Sequence, residues 1–182
     1  MINNISSFSE ISRPKSNSLI VLDIDETIIT FPTIDKNWWT NTYTLLYPIY
    51  YENTQAQIEM LWNEYVSNIQ PKVLDSINLF NFLNESKKNN CDIIFLTARY
   101  KSMSLQTLNH LKHVNIIIDP SRIFYNKNKG QELKNIVINK FRNVKNIIFV
   151  DDLNENLLNV QSVFSNNDLS KYNIKLYKIK HI

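Results

Sequence analysis

The sequence predicts an open, mainly parallel α/β sheet with helices on both faces and a small aromatic-rich insertion after its first strand. Three observations carry this. Short, continuously apolar runs recur along the chain, "LIVL" at 19–22, "IIFL" at 93–96 and "IIFV" at 147–150, and runs of that length and β-branched content fit strands buried on both faces. Between them lie segments whose apolar residues recur every three or four positions, the spacing of amphipathic helices. Each apolar run ends in polar side chains, and ligands of open parallel sheets bind outside the carboxyl ends of the strands.

Taken in order, residues 1–17 form a polar, Ser/Asn-rich lead-in expected to be loosely ordered. Leu19–Ile24 reads as the first strand. From 31 to 70 the composition shifts to aromatics and amides, as in "NWWTNTYTLLYPIYYENTQ". Within that insertion, 55–69 has helical spacing with Ile58, Leu61, Trp62 and Tyr65 on one face. A second helix is expected over 72–90, with Val73, Leu74, Ile77, Phe80 and Leu83 inward. "CDIIFL" is a buried strand and 103–114 a helix, while "NIIID" and "RIFYN" are short strand-like pieces. Helix 131–143, strand 146–150, helix 154–164 and a closing strand 173–179 complete one domain over 18–182.

Composition narrows the function. Of 182 residues, 43% are hydrophobic and 20% charged, as in an ordinary globular domain, and a formal charge of +3 spread over scattered lysines gives no footprint for nucleic acid. A lone glycine, Gly130, excludes every glycine-rich phosphate cradle. The single cysteine excludes an internal disulfide, and no apolar run approaches the roughly 20 residues of a membrane span. "MINNISSFSEISRPKSNS" has neither a basic region nor an apolar core typical of a signal peptide, so a cytoplasmic protein is expected. A bacterial effector delivered into a host cell by another route would have the same appearance. Nothing in the sequence fixes an oligomeric state.

The polar residues at the strand ends define a candidate site: Asp23, Asp25 and Thr27 after the first strand, Thr97, Ala98 and Arg99 after the second, Asp151 and Asp152 after "NIIFV". Lys129, just before Gly130 at a helix start, is placed to reach the same edge, with Lys127 as its competitor. Clustered carboxylates repel unless a cation offsets them. Hard oxygen ligands suit Mg²⁺, which keeps waters and bridges to phosphates. A hydroxyl, backbone N–H groups and a lysine are what the remaining phosphoryl oxygens require. The pattern points to phosphoryl chemistry. A spacing of two would point Asp23 and Asp25 to opposite faces of a strand, so the strand must end near Ile24 and turn.

The ordered set "DIDET", "FLTAR", "NKG" before a helix and "FVDDLNENL" resembles the haloacid dehalogenase (HAD) superfamily, a Rossmann-like fold, and spans Asp23 to Asn156. The resemblance implies a Mg²⁺-dependent phosphatase in which Asp23 forms an aspartyl-phosphate. Asp25 would be the acid and then the base, with its backbone carbonyl on the metal. Thr97 and the Ala98 N–H would hold the phosphoryl group, Lys129 would neutralise charge, and Asp152 with Asp151 would complete the metal site. Of those two, one can cap the following helix while the other, Asp152 by preference, binds metal. In this family an insertion after the first motif screens the pocket, which assigns 31–70 as a cap. Its aromatics, Trp38 and Trp39 among them, could stack on a phosphotyrosine ring or simply pack.

The implied substrate is a phosphoprotein or a small phosphoester, sugar or nucleotide included. Arg99 is either a phosphate or substrate contact or a salt-bridge partner. Cys91 and Arg99 have the wrong spacing for a cysteine-dependent phosphatase, which leaves Cys91 as a core thiol. His110 and His113 read as a partly exposed helix face. A receiver-type phosphate-accepting module is disfavoured by motif order and by the presence of Asp25. Dehalogenase chemistry is disfavoured because Asp25 is dispensable there and Thr27 is the phosphatase choice.

Overall fold

In the computed structural model, which describes residues 1–34, 36–165 and 169–180, four successive fully buried residues, Leu19–Leu22, sit at the middle of a six-stranded sheet. The strands are β1 (Ile2–Ile5), β2 (Leu19–Leu22), β5 (Asp92–Thr97), β6 (Ile123–Tyr125), β7 (Asn146–Asp151) and β8 (Asn173–Ile179). They run β1-β8-β7-β2-β5-β6, with every pairing parallel. Among the described residues six α-helices accompany them: α1 (Lys36–Tyr50), α2 (Thr54–Ser67), α3 (Ser76–Lys88), α4 (Ser104–His113), α5 (Lys129–Asn139) and α6 (Asn154–Phe164). This is the α/β, Rossmann-like architecture expected.

The apolar runs are continuous because both faces of the sheet are covered. Alternate residues of a strand face opposite ways. Ile20 and Leu22 pack with Phe95 and Val150 under Leu79 of α3 and Leu111 of α4. Leu19 and Val21 pack with Ile94 and Phe149 under Leu133 of α5 and Leu157 of α6. Burying each such side chain stabilises the fold by about 1.5–3 kcal/mol.

The N-terminal lead-in differs from expectation. Residues 2–5 form an edge strand in register with β8, Ile2 opposite Leu176 and Ile5 opposite Ile179. Phe8 is 1% exposed within the core, and the turn carrying it is closed by a Ser7–Glu10 capping box. "INNI" is too short and too polar to signal a strand by itself. Its hydrogen bonds come from the open edge of β8, a partner 174 residues away in sequence by the register of Ile2 with Leu176 and beyond any local pattern.

Other local expectations also shift. Helix α3 starts at Ser76, after Asp75 in the left-handed region (φ 46). Val73 belongs to a strand instead, so the inward face is Leu79, Phe82, Leu83 and Ser86, while Ile77 is 74% exposed. On α2 the buried residues are Thr54, Ile58 and Val66, with Leu61 and Tyr65 outward. The segment 116–118 joins no strand, and Asn115 (φ 62) ends the turn before it.

Between β2 and α3 the chain makes an excursion. Strands β3 (Ile29–Thr30) and β4 (Lys72–Val73) pair antiparallel at its root, Ile29 opposite Val73. Helices α1 and α2 lie between them, packed on each other. No described helix is long and apolar enough to cross a membrane.

Candidate active site

Strands β7, β2 and β5 are neighbours at the centre of the sheet, so their carboxyl ends open on one patch. Asp23 is the first residue past β2, and its N–H still donates to the Val150 carbonyl at 3.0 Å. The chain then turns back sharply: the Ile28 and Ile29 N–H groups both donate to the Ile24 carbonyl, and Glu26 takes φ 55. The strand thus ends one residue before Asp23, and the turn carries Asp25 over the same cavity that Asp23 floors.

Lys129 opens α5, whose first turn is capped by the Asn128 side chain on the Gln131 N–H. Its ammonium is buried between Asp23 Oδ1 at 2.6 Å and Asp151 Oδ2 at 2.7 Å. Lys127 points elsewhere, to both oxygens of Glu59 at 2.8 Å and over the Tyr100 ring. Asp151 ends β7 fully buried, and its oxygens also accept the Leu153 N–H and the Asn156 side-chain amide. The Thr27 hydroxyl donates to Asp23 Oδ2 at 3.3 Å and accepts the Asp152 N–H at 3.1 Å, tying the first and last motifs together.

The charges do not balance. Burial raises the Asp23 pKa well above the ordinary carboxylate value; Lys129 opposes this, and Asp151, Asp152 and Asp25 add to it. Burial, then Asp151, pushes Asp152 up to about 7. Burial works against the Lys129 charge, yet Asp23 and Asp151 more than offset it, and its pKa lies above that of an ordinary lysine. Asp23, Asp151 and Asp152 each offer an oxygen within 4.8 Å of one another. An all-oxygen, electron-rich donor set with surplus negative charge fits a hard divalent cation. The Asp25 carboxylate is not in that cluster: Arg99 holds both of its oxygens, Nη2 to Oδ1 at 2.6 Å and Nε to Oδ2 at 2.8 Å.

Above these groups is a cavity of about 510 Å³. Thr97, Ala98 and Arg99 line it, and the excursion supplies Phe31, Trp39 and Trp62. Trp39 stacks on Trp62, whereas Trp38 lies outside the cavity, edge-on to Trp39 and against the core. Cys91 does not line it either. Three contributors were not legible beforehand: Glu59 and Tyr100, hydrogen-bonded to each other across the mouth, and the buried His110 behind Arg99. Tyr100 follows the "TAR" segment directly, which was its one available signal.

The sequence as a whole decides the class, because the family model for the HAD superfamily, subfamily IIIB (acid phosphatase), matches residues 2–148. The chain belongs to this family. It is accordingly a phosphoric monoester hydrolase of the HAD superfamily, whose phosphatases generally use a divalent metal. The matched region takes in the strand ends at Asp23 and Thr97 and the helix start at Lys129, and stops before Asp151 and Asp152. Among solved structures, the Class C acid phosphatase from Bacillus anthracis is similar at 15% identity, over 91% of this chain and 67% of that one, with a TM-score of 0.49. A search of curated proteins gives no match.

Proposed function

We propose that this HAD-family phosphatase is Mg²⁺-dependent and works through an aspartyl-phosphate on Asp23. The observation that carries the reading is Lys129, buried between Asp23 and Asp151 directly beneath the cavity. In the first step an Asp23 oxygen bonds to phosphorus as the ester P–O bond breaks, and the departing oxygen takes a proton from Asp25. In the second, water attacks the same phosphorus and gives its proton to Asp25, and the Asp23 O–P bond breaks to release phosphate. Lys129 offsets the charge that gathers between Asp23 and the phosphoryl group, while Thr97 and the Ala98 N–H hold its other oxygens. Mg²⁺, held by Asp23, the Asp25 carbonyl and Asp152 with Asp151, would place a divalent charge against those oxygens. Asp152 suits direct ligation better, since the Asp151 oxygens already accept Lys129, Leu153 and Asn156.

The segment 31–70 acts in this scheme as the cap, and its Trp39 and Trp62 walls favour an aryl phosphoester such as phosphotyrosine. The Glu59 link to Lys127 and Tyr100 across the mouth favours a free small phosphoester as the second reading. Comparing kcat/KM for phosphotyrosine, phosphotyrosyl peptides and sugar phosphates separates the two. For the mechanism, Asp23→Asn is assayed with an aryl phosphate and Mg²⁺; retained turnover, or activity that survives full chelation, would sink it.

A further inference from the structure

Arg99 is fully buried through its side chain, yet it lines the cavity above Asp23. Its hydrogen bonds explain why it is not simply a phosphate ligand. Nε and Nη2 go to the two oxygens of Asp25, and Nη1 goes to Thr107 Oγ1 at 3.2 Å and to His110 Nδ1 at 3.1 Å. Four of its five N–H groups are thereby committed. The guanidinium is also flanked by Phe31 and Trp62, at 5.8 and 5.6 Å from the ring centres.

The inner end of this chain is His110. It is 5% exposed and packs edge-on against Phe31 at 5.2 Å. An arginine N–H only donates, so Nδ1 is the acceptor and the ring proton sits on Nε2. Burial first, and then the Arg99 charge, lower its pKa to about 4, so the ring is neutral at pH 7. Thr107 and His110 stand one turn apart on α4, and together they present an acceptor pair shaped to one guanidinium edge. The other edge of that fork then has a single orientation, in which it grips Asp25. Each Asp25 oxygen keeps a lone pair, and the side chain stays 24% exposed toward the cavity.

We propose that His110 is a positioning residue for phosphoryl transfer: with Thr107 it fixes Arg99, and Arg99 holds the Asp25 carboxylate where the leaving group departs. This rests on Asp25 being the acid–base of the proposed mechanism. A neutral histidine does here what a second carboxylate could not, since it orients the arginine without competing with Asp25 for its charge.

The test exploits leaving groups. The parameter kcat/KM covers steps only through leaving-group departure, which needs a proton for ethyl phosphate and none for p-nitrophenyl phosphate. His110→Leu should lower kcat/KM for ethyl phosphate about tenfold more than for p-nitrophenyl phosphate. His110→Asn, whose Oδ1 falls near the Nδ1 position, should bring the ethyl phosphate value back to within about threefold of wild type. If His110→Leu does not fold, Thr107→Val removes the other acceptor and should show the same discrimination. Equal losses on both esters, or no difference between Asn and Leu at 110, would overturn the role of His110. Asp25→Asn measured alongside distinguishes the two levels: without leaving-group discrimination there, the acid–base assignment itself falls.

Discussion

Replacing Gly130 with alanine should both destabilise the protein and slow it. Gly130 is the second residue of α5, with ordinary helical φ, so it is not needed for backbone freedom. It is needed for space. A Cβ there would lie 2.6 Å from Asn159 Oδ1 and 2.7 Å from the Asn159 carbonyl oxygen, well inside the 3.4 Å at which ordinary contact begins. The amide can rotate away only by giving up its 2.6 Å bond from the Gly130 N–H, and the carbonyl is fixed in α6. The helices must therefore separate. Alanine gains up to about 1 kcal/mol in helix propensity and unfolded-chain entropy. Against this stand about 1–3 kcal/mol of overpacking and a similar cost for a buried N–H left without its partner. The net expectation is a loss of about 1–6 kcal/mol, and each kcal/mol lowers the melting midpoint by about 2–4 °C in a chain of this size. Because Lys129 is the adjacent residue, a displaced helix start also moves its ammonium off Asp23, and turnover should fall about tenfold or more. Urea unfolding followed by circular dichroism, with kcat on an aryl phosphate, reads both effects. An alanine variant as stable and as active as the parent would refute the close-approach reasoning.

Lys129→Met leaves Asp23 and Asp151 buried without their shared cation and should cost about 3–5 kcal/mol, read by denaturant titration. Saturating Mg²⁺ should raise the melting midpoint of the wild-type protein, by about 2.7 kcal/mol of stability at a hundredfold excess over Kd, and chelation should reverse it. Glu59→Gln breaks a half-exposed pair, so stability should change by less than about 1 kcal/mol while KM shifts. His110 has a folded pKa of about 4 against an ordinary 6.5, so the unfolded chain takes up the proton first as pH falls. Its contribution is fully present above about pH 6.5 and is lost toward pH 4, amounting to about 3 kcal/mol, and His110→Asn should flatten that slope in a pH series of unfolding free energies.

What the sequence made legible follows from what is local in it. Strands β2, β5 and β7 announced themselves because both faces are buried and the polar break at each carboxyl end is abrupt. Asp23, Thr97 and Asp151 could be placed for that reason alone. Strand β1 could not, because its evidence lies in the edge of β8. Helix α1 could not either: its amides, aromatics and internal Pro48 carry no charge pattern, and its stability comes from packing on α2. The inward face of α3 was displaced because the left-handed turn at Asp75 starts the helix later than periodicity suggests. Arg99 was visible as a residue but its partner was not, since the Asp25 pairing spans 74 residues. His110 looked like surface, and only the arrival of Arg99 and Phe31 over α4 makes it interior.

The central position of β2 has a consequence for how the enzyme fails. Its neighbours β5 and β7 pair with it on both sides, and all four of its residues are fully buried. Backbone amides there can meet solvent only when the whole sheet comes apart, so hydrogen exchange at Leu22 should report the global unfolding free energy. The excursion is tethered at its root by the two-residue ribbon β3–β4, and its helices carry outward Leu45 and Ile49. Amides of α1 should therefore exchange through a cheaper, local opening. Two separate thresholds follow: mild denaturant would loosen the excursion first, while Asp23 and Lys129 stay assembled until the molecule unfolds as a unit.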